Sequence, residues 1–137
     1  MIRASKNSDG RQTMQARVLS AVISQSAAPL SVHELLEAAK TEVPGLGIAT
    51  VYRNIARMIA AGEINAVVIP GQPPRYERAG KPHHHYFYCE HCGRVFDLPG
   101  CVNGLRQMVP EGFRAIRHDL TIYGACRNCE SHPVAHL

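Results

Sequence analysis

KPHHHYFYCEHCGRVFDLPGC, residues 81–101, sets three consecutive histidines, a Cys-x-x-Cys pair and a further cysteine within 21 positions. The pair Cys89 and Cys92 has a counterpart downstream in Cys126 and Cys129. Four thiolates are the ligand set of a closed, tetrahedral structural zinc site. Gly93, directly after Cys92, suits the tight turn such a site needs, because glycine accepts positive φ freely. The 33 residues between the pairs exceed the spacing of a compact zinc ribbon, so the zinc is expected to clasp a hairpin and a returning C-terminal segment. Strand patterns in HYFYC, RVFDL and FRAIRHDLTIYGAC, with a short helix from about Val102 to Val109, predict a small α/β domain built around that staple.

The histidines are surplus to a four-thiolate site, which points to more than one metal. Side chains alternate along a strand, so His83 and His85 share one face while His84 and Tyr86 share the other. Neutral imidazoles on one face are competent ligands for zinc, iron, manganese or nickel. His118, on the later predicted strand, can approach His83 and His85, with Cys101 or Asp97 completing the set. The blander readings are a solvated or packed His118 and a Cys101 that is simply a small buried hydrophobe. His91, His132 and His136 fall in no ligand pattern.

All five cysteines and seven of the eight histidines follow residue 80, a composition boundary at the GQPPRYERAGKP stretch. It divides the chain into expected domains at 1–79 and 80–137. The 45% hydrophobic content suffices for a packed core, and no apolar run approaches the ~18 residues of a membrane span. The N-terminus MIRASKNSDGRQ lacks a secretory core, so a soluble, cytoplasmic protein with no membrane partner is expected. In that reducing compartment paired cysteines favour metal over disulfides. The net charge of +4 permits nucleic-acid binding without demanding it, and residues 1–80 carry most of it, with 9 Lys and Arg against 6 Asp and Glu.

That first part reads as helices. Met14, Val18, Leu19, Val22 and Ile23 recur at helical spacing between Arg11 and about Ser26. Ser31 stands three residues before Glu34, a capping box opening a helix over Val32, Leu35, Leu36 and Ala39. Pro44, Gly45 and Gly47 then break the chain before IATVYRNIARMIAA, which Gly62 ends. At about 100° per residue, Ile48, Val51, Ile55, Met58 and Ile59 form this helix's apolar face, with Thr50, Arg53, Asn54 and Arg57 opposite and Tyr52 on the margin. Two arginines one turn apart beside a hydroxyl suit phosphates or base edges in a major groove, although such a face also serves solubility. EINAVVIP and PRYERAG predict a β-hairpin, hence a winged helix whose wing would carry Arg75 and Arg78 near a DNA backbone. The expected class is α+β: a winged helix-turn-helix domain, then a zinc-stapled α/β domain.

ATVYRNI in the third helix, RYE in the wing, HHHYFYCEHCGRVFDL, and HDLTIYGAC with its terminal Cys-x-x-Cys together resemble the ferric uptake regulator family of bacterial metal-dependent repressors, from about Arg11 to Cys129. The resemblance implies an N-terminal winged helix, a C-terminal dimerisation domain, a homodimer, and metal-promoted binding to palindromic double-stranded operator DNA. Position by position, Cys89, Cys92, Cys126 and Cys129 match the structural zinc ligands, and Tyr52 and Arg53 match the DNA-contacting helix. His83, His85 and His118 match a dimerisation-domain metal site whose usual acidic fourth ligand falls here on Gly104; Cys101 is the candidate replacement. His33, Glu77 and His84 match three of four positions of an interdomain hinge site, the fourth being Tyr86, a poor neutral ligand. That departure argues against a peroxide sensor. One cysteine with three histidines favours zinc as the second, regulatory metal, ahead of iron(II) or manganese(II), and hence the zinc-uptake branch. The rival classes are a zinc enzyme, for which no His-Glu-x-x-His or deaminase-like motif is present, and a zinc-stapled protein-interaction module.

Overall fold

A helix over Ser5–Gln25 (α1) buries Val18, Leu19 and Ile23 of the stripe expected from its spacing and half-buries Val22, while Met14, expected on the same face, is 51% exposed. The computed structural model describes residues 5–130, and for residues 5–9 and 12 the backbone alone. The chain divides into two compact units, Met1–Gly80 and Lys81–Leu137.

In the first unit a two-residue strand, Leu30–Ser31 (β1), leads into Val32–Ala39 (α2). The capping box forms in full: the Glu34 amide donates to Ser31 Oγ at 3.1 Å and the Ser31 amide to Glu34 Oε1 at 3.2 Å. Ile48–Ala60 (α3) follows, burying Val51, Ile55 and Met58 against α1 and α2. Ile48 and Ile59, expected on that face, lie at the helix ends and stay 37% and 44% exposed. Gly62, at φ 72°, lets its own amide reach the Ile59 carbonyl and that of Glu63 reach Met58, the paired bonds of a Schellman stop.

Ile64–Val67 (β2) and Arg75–Arg78 (β3) then pair antiparallel, and β1 joins the other edge of β3, giving the order β1-β3-β2. Three helices and this small sheet make a winged helix. One wing expectation is corrected: Arg75 is turned inward, ion-paired with Glu34 and near the Pro29 carbonyl, so its charge is spent within the fold. Arg78 remains exposed.

The second unit is a three-stranded sheet in the order β5-β4-β6, from His84–Cys89 (β4), Val95–Pro99 (β5) and Thr121–Gly124 (β6). β5 pairs antiparallel to β4, with Phe87 opposite Phe96, and β6 runs parallel to β4, with Phe87 opposite Ile122. A Cβ on Gly124 would lie 3.1 Å from the Phe87 ring, which explains the glycine there.

Two expectations for this half fail. Only a 3-10 turn, Leu105–Met108, forms within the helix expected over 102–109: Gly104 enters it at φ 96° and Pro110 follows Val109. The strand expected over FRAIRHDLTIYGAC is confined to β6, leaving residues 113–120 without regular structure and His118 off the strand. Phe113 and Ile116 are 70% and 88% exposed, so this stretch has no buried face within the chain to hold it in a ladder.

Candidate metal centres

Cys89 ends β4, Cys92 lies in the turn after it, and Cys126 and Cys129 flank a 3-10 turn, Arg127–Cys129, after β6. Their four sulfurs lie within 4.8 Å of one another, with Cys92 and Cys126 at 3.9 Å. Tetrahedral zinc at its usual Zn–S length sets sulfurs about 3.8 Å apart, so the cage needs little adjustment. Amides of Cys92 and Cys126 donate to Cys89 Sγ at 3.4 and 3.3 Å, and Gly93 turns at φ 75° so that its amide reaches the Cys89 carbonyl.

The metal-free sulfurs ionise unequally. Burial pushes the Cys89 thiol up, but the amides of Cys92 and Cys126 outweigh it and bring it down to about 6. Burial and the neighbouring sulfurs hold Cys129 up to about 12, and burial likewise raises Cys92. Four thiolates packed this closely require a cation between them.

The second cluster joins three segments: His83 and His85 at the start of β4, Cys101 after β5, and His118 ahead of β6. The three Nε2 atoms form a triangle with every edge 3.1 Å. Cys101 Sγ caps it, 3.0 Å from His118 Nε2 and 3.4 Å from His85 Nε2. Hydrogen bonds cannot satisfy such a triangle. A ring nitrogen either donates or accepts, so at least one edge must set two N–H groups or two lone pairs against each other. A metal in the middle relieves all three edges, and tetrahedral zinc spaces imidazole nitrogens about 3.3 Å apart, close to what is seen. His85 is buried, and burial together with His83 and His118 lowers its pKa, keeping it neutral with a lone pair to offer. A cleft of about 920 Å³ lined by His83, Cys101, Asn103, Arg117 and His118 gives access from solvent.

The expected hinge residues are divided between the units. His33 is exposed on α2 and Glu77 buried on β3, both in the first; His84 opens β4 in the second, its ring 5.1 Å edge-on from Tyr86. Asp97 on β5 is not drawn into the three-histidine cluster; it lies across the ladder from Tyr86, ion-pairs with Lys81, and places a carboxylate oxygen within 4.8 Å of a His84 nitrogen. His132 and His136 lie outside the described residues.

In the first unit, Tyr52 resolves to the exposed side of α3 at 53% exposure, beside exposed Arg53 and Arg57. Arg53 donates to Thr50 Oγ1 at 2.9 Å, and Arg57 stands 3.9 Å from Glu63. A groove of about 1200 Å³ between α1 and α3 adds Arg11 and Arg17 to Thr50, Arg53 and Arg57. Sequence reasoning missed the two α1 arginines, although both stand off that helix's apolar stripe, the one signal that marked them.

The ferric uptake regulator family profile matches residues 7–123. The ferric uptake regulation protein of Campylobacter jejuni is 28% identical over 126 residues, covering 88% of this chain and 80% of its own length. The peroxide operon regulator of Bacillus subtilis is 27% identical over 128 residues, covering 90% and 87%. Among solved structures, a zinc-bound manganese uptake regulator superposes with a TM-score of 0.74 at 25% identity, covering 85% of this chain and 94% of its own. The profile match spans both units and the three-histidine cluster with Cys101, and it ends before Cys126 and Cys129. The chain is not an enzyme; it belongs to the ferric uptake regulator family of metal-dependent transcriptional regulators.

Proposed function

We propose that this chain is a zinc-responsive repressor that binds palindromic operator DNA as a homodimer in the cytoplasm and controls metal uptake or homeostasis. Cys89, Cys92, Cys126 and Cys129 hold a structural zinc; His83, His85, Cys101 and His118 hold the regulatory one. The observation that carries the reading is the convergence of three Nε2 atoms and one sulfur at 3.0–3.4 Å, a donor set of thiolate and imidazole that suits zinc better than harder cations.

A metal there ties the Cys101 loop and the His118 segment to β4. The same two stretches carry Val102, Met108, Phe113 and Ile116, apolar side chains 56–88% exposed, which supports their use as the dimer contact. Ordering them would fix the partner subunit, and with it the spacing of two α3 helices on two half-sites. Operator affinity would then rise through a population shift set by the metal's preference for the ordered form. Thr50, Tyr52, Arg53 and Arg57 face the operator, with Arg11 and Arg17 along the same groove.

A second reading, sensing of iron(II) or manganese(II) through His33, Glu77 and His84, draws on the oxygen donor Asp97 beside His84. Titrating each metal into protein with a fluorescent palindromic operator separates the two. The first reading expects zinc-dependent binding that Cys101→Ser abolishes and His84→Ala preserves. Binding that follows iron and is lost only in His84→Ala would replace it with the second.

A further inference from the structure

Around Asp97 the second unit holds an ammonium, an imidazole and a carboxylate that the proposed zinc centres leave unused. Asp97 Oδ2 is ion-paired with Lys81, both side chains being mostly buried, at 18% and 13% exposure. The other oxygen, Oδ1, is buried and has no hydrogen-bond partner among the described residues. A ring nitrogen of His84 lies within 4.8 Å of the carboxylate. His84 Nδ1 stands 2.7 Å from the Pro82 carbonyl, which only accepts, so Nδ1 carries the proton and Nε2 is the lone-pair nitrogen. The grouping therefore sets a carboxylate oxygen and an imidazole nitrogen, the start of a hard-cation site, beside a fixed positive charge.

We propose that the Lys81 ammonium is a built-in cation that occupies the Asp97 position and keeps a divalent metal out of it. A side-chain ammonium satisfies the carboxylate at every metal concentration, whereas an arriving dication must displace it or endure its repulsion at a few ångströms in a half-buried setting. Tyr86, across the ladder from Asp97, supplies no neutral ligand to tip that competition. The position becomes a permanent ion pair that cannot report metal. The inference rests on the proposed function only for its consequence, that sensing is left to the three-histidine centre.

Manganese(II), whose free ion is counted by its electron paramagnetic resonance signal, is the probe, added to the full-length, zinc-loaded chain. The wild type is expected to bind no manganese beyond its zinc. Lys81→Met is expected to bind one manganese per chain at least about tenfold more tightly than the wild type; Lys81→Arg should behave as the wild type, and Lys81→Met with Asp97→Asn should lose the gain. Lys81→Gln serves if circular dichroism shows Lys81→Met misfolded. Wild-type protein that already binds this manganese, or folded Lys81 variants that gain none, overturns the proposal. Zinc content measured on the same samples tests the three-histidine centre separately, so the failure of one reading is not mistaken for failure of the other.

Discussion

Among the described residues, thirteen buried side chains from three helices, the α2–α3 loop and the wing close the core of the first unit, among them Leu19, Leu35, Val51 and Met58 at full burial, whereas the buried cluster of the second is Cys89, Cys126 and Cys129 with Phe87, Phe96 and Ala125 packed around them. The first is an ordinary hydrophobic core, driven by apolar area removed from water. In the second, sulfur stands where leucine would. Its longest connection, from Gly100 to Leu120, leaves Val102, Met108, Phe113 and Ile116 exposed, and Cys101 and His118 bring it to His83 and His85 of the other ligand cluster. The contrast teaches that the first unit closes on apolar area alone, whereas the second gathers metal-capable side chains where a core would be, so on the proposed function its stability should depend on bound metal.

The largest effect should come from breaking the four-sulfur cage. Structural zinc contributes on the order of 10 kcal/mol to folding small metal domains, so Cys89→Ser should unfold β4 to β6 and remove one zinc while α1 to α3 persist, as amide NMR spectra would show. The converse experiment, Leu19→Ala, should cost the first unit about 2–5 kcal/mol and leave zinc content unchanged. Loss of zinc in that variant would mean the two units do not stand on separate footings.

Acid should act on the second unit through its thiols. Cys89, brought down to about 6, is already a thiolate at neutral pH, while Cys92 and Cys129 are raised and must give up protons when zinc binds. Zinc affinity at the cage should therefore fall by at least about a hundredfold per pH unit below neutrality, and more steeply below about 6, where Cys89 also gains a proton. Competition with a chelator across roughly pH 5–8 checks the slope. The smallest effect is local: Ser31→Ala removes one cap of α2 and should cost about 1 kcal/mol by chemical denaturation, again with zinc retained.

The contrast also explains which features were legible in the sequence. Ser31 and Glu34, the middle of the apolar faces of α1 and α3, Gly62, and both cysteine pairs announce themselves by fixed local spacing; only Met14, Ile48 and Ile59, toward the ends of those faces, stay exposed. His83 and His85 were legible because strand alternation is strict. Cys101 could be named only as one of two candidates to complete the set, beside Asp97, since no local period links it to His85 16 residues earlier. The irregular stretch around Phe113, Ile116 and His118 looked like a strand because its composition is that of one, but with no face to bury inside the chain it forms no ladder. Arg75 was misread for a related reason: its partner Glu34 is 41 residues away, and only the folded sheet brings β3 beside the α2 cap.

The most direct test of this account is hydrogen exchange on the full-length chain, stripped of metal by a chelator and then reloaded with zinc. The account predicts that amides of α1, α2, α3 and the wing stay protected throughout, while those of β4, β5 and β6 exchange freely without metal and recover protection on zinc addition. Equal protection of β4 to β6 with and without metal would contradict it, because the second unit would then hold its shape without the ions that its cysteines and histidines converge to bind.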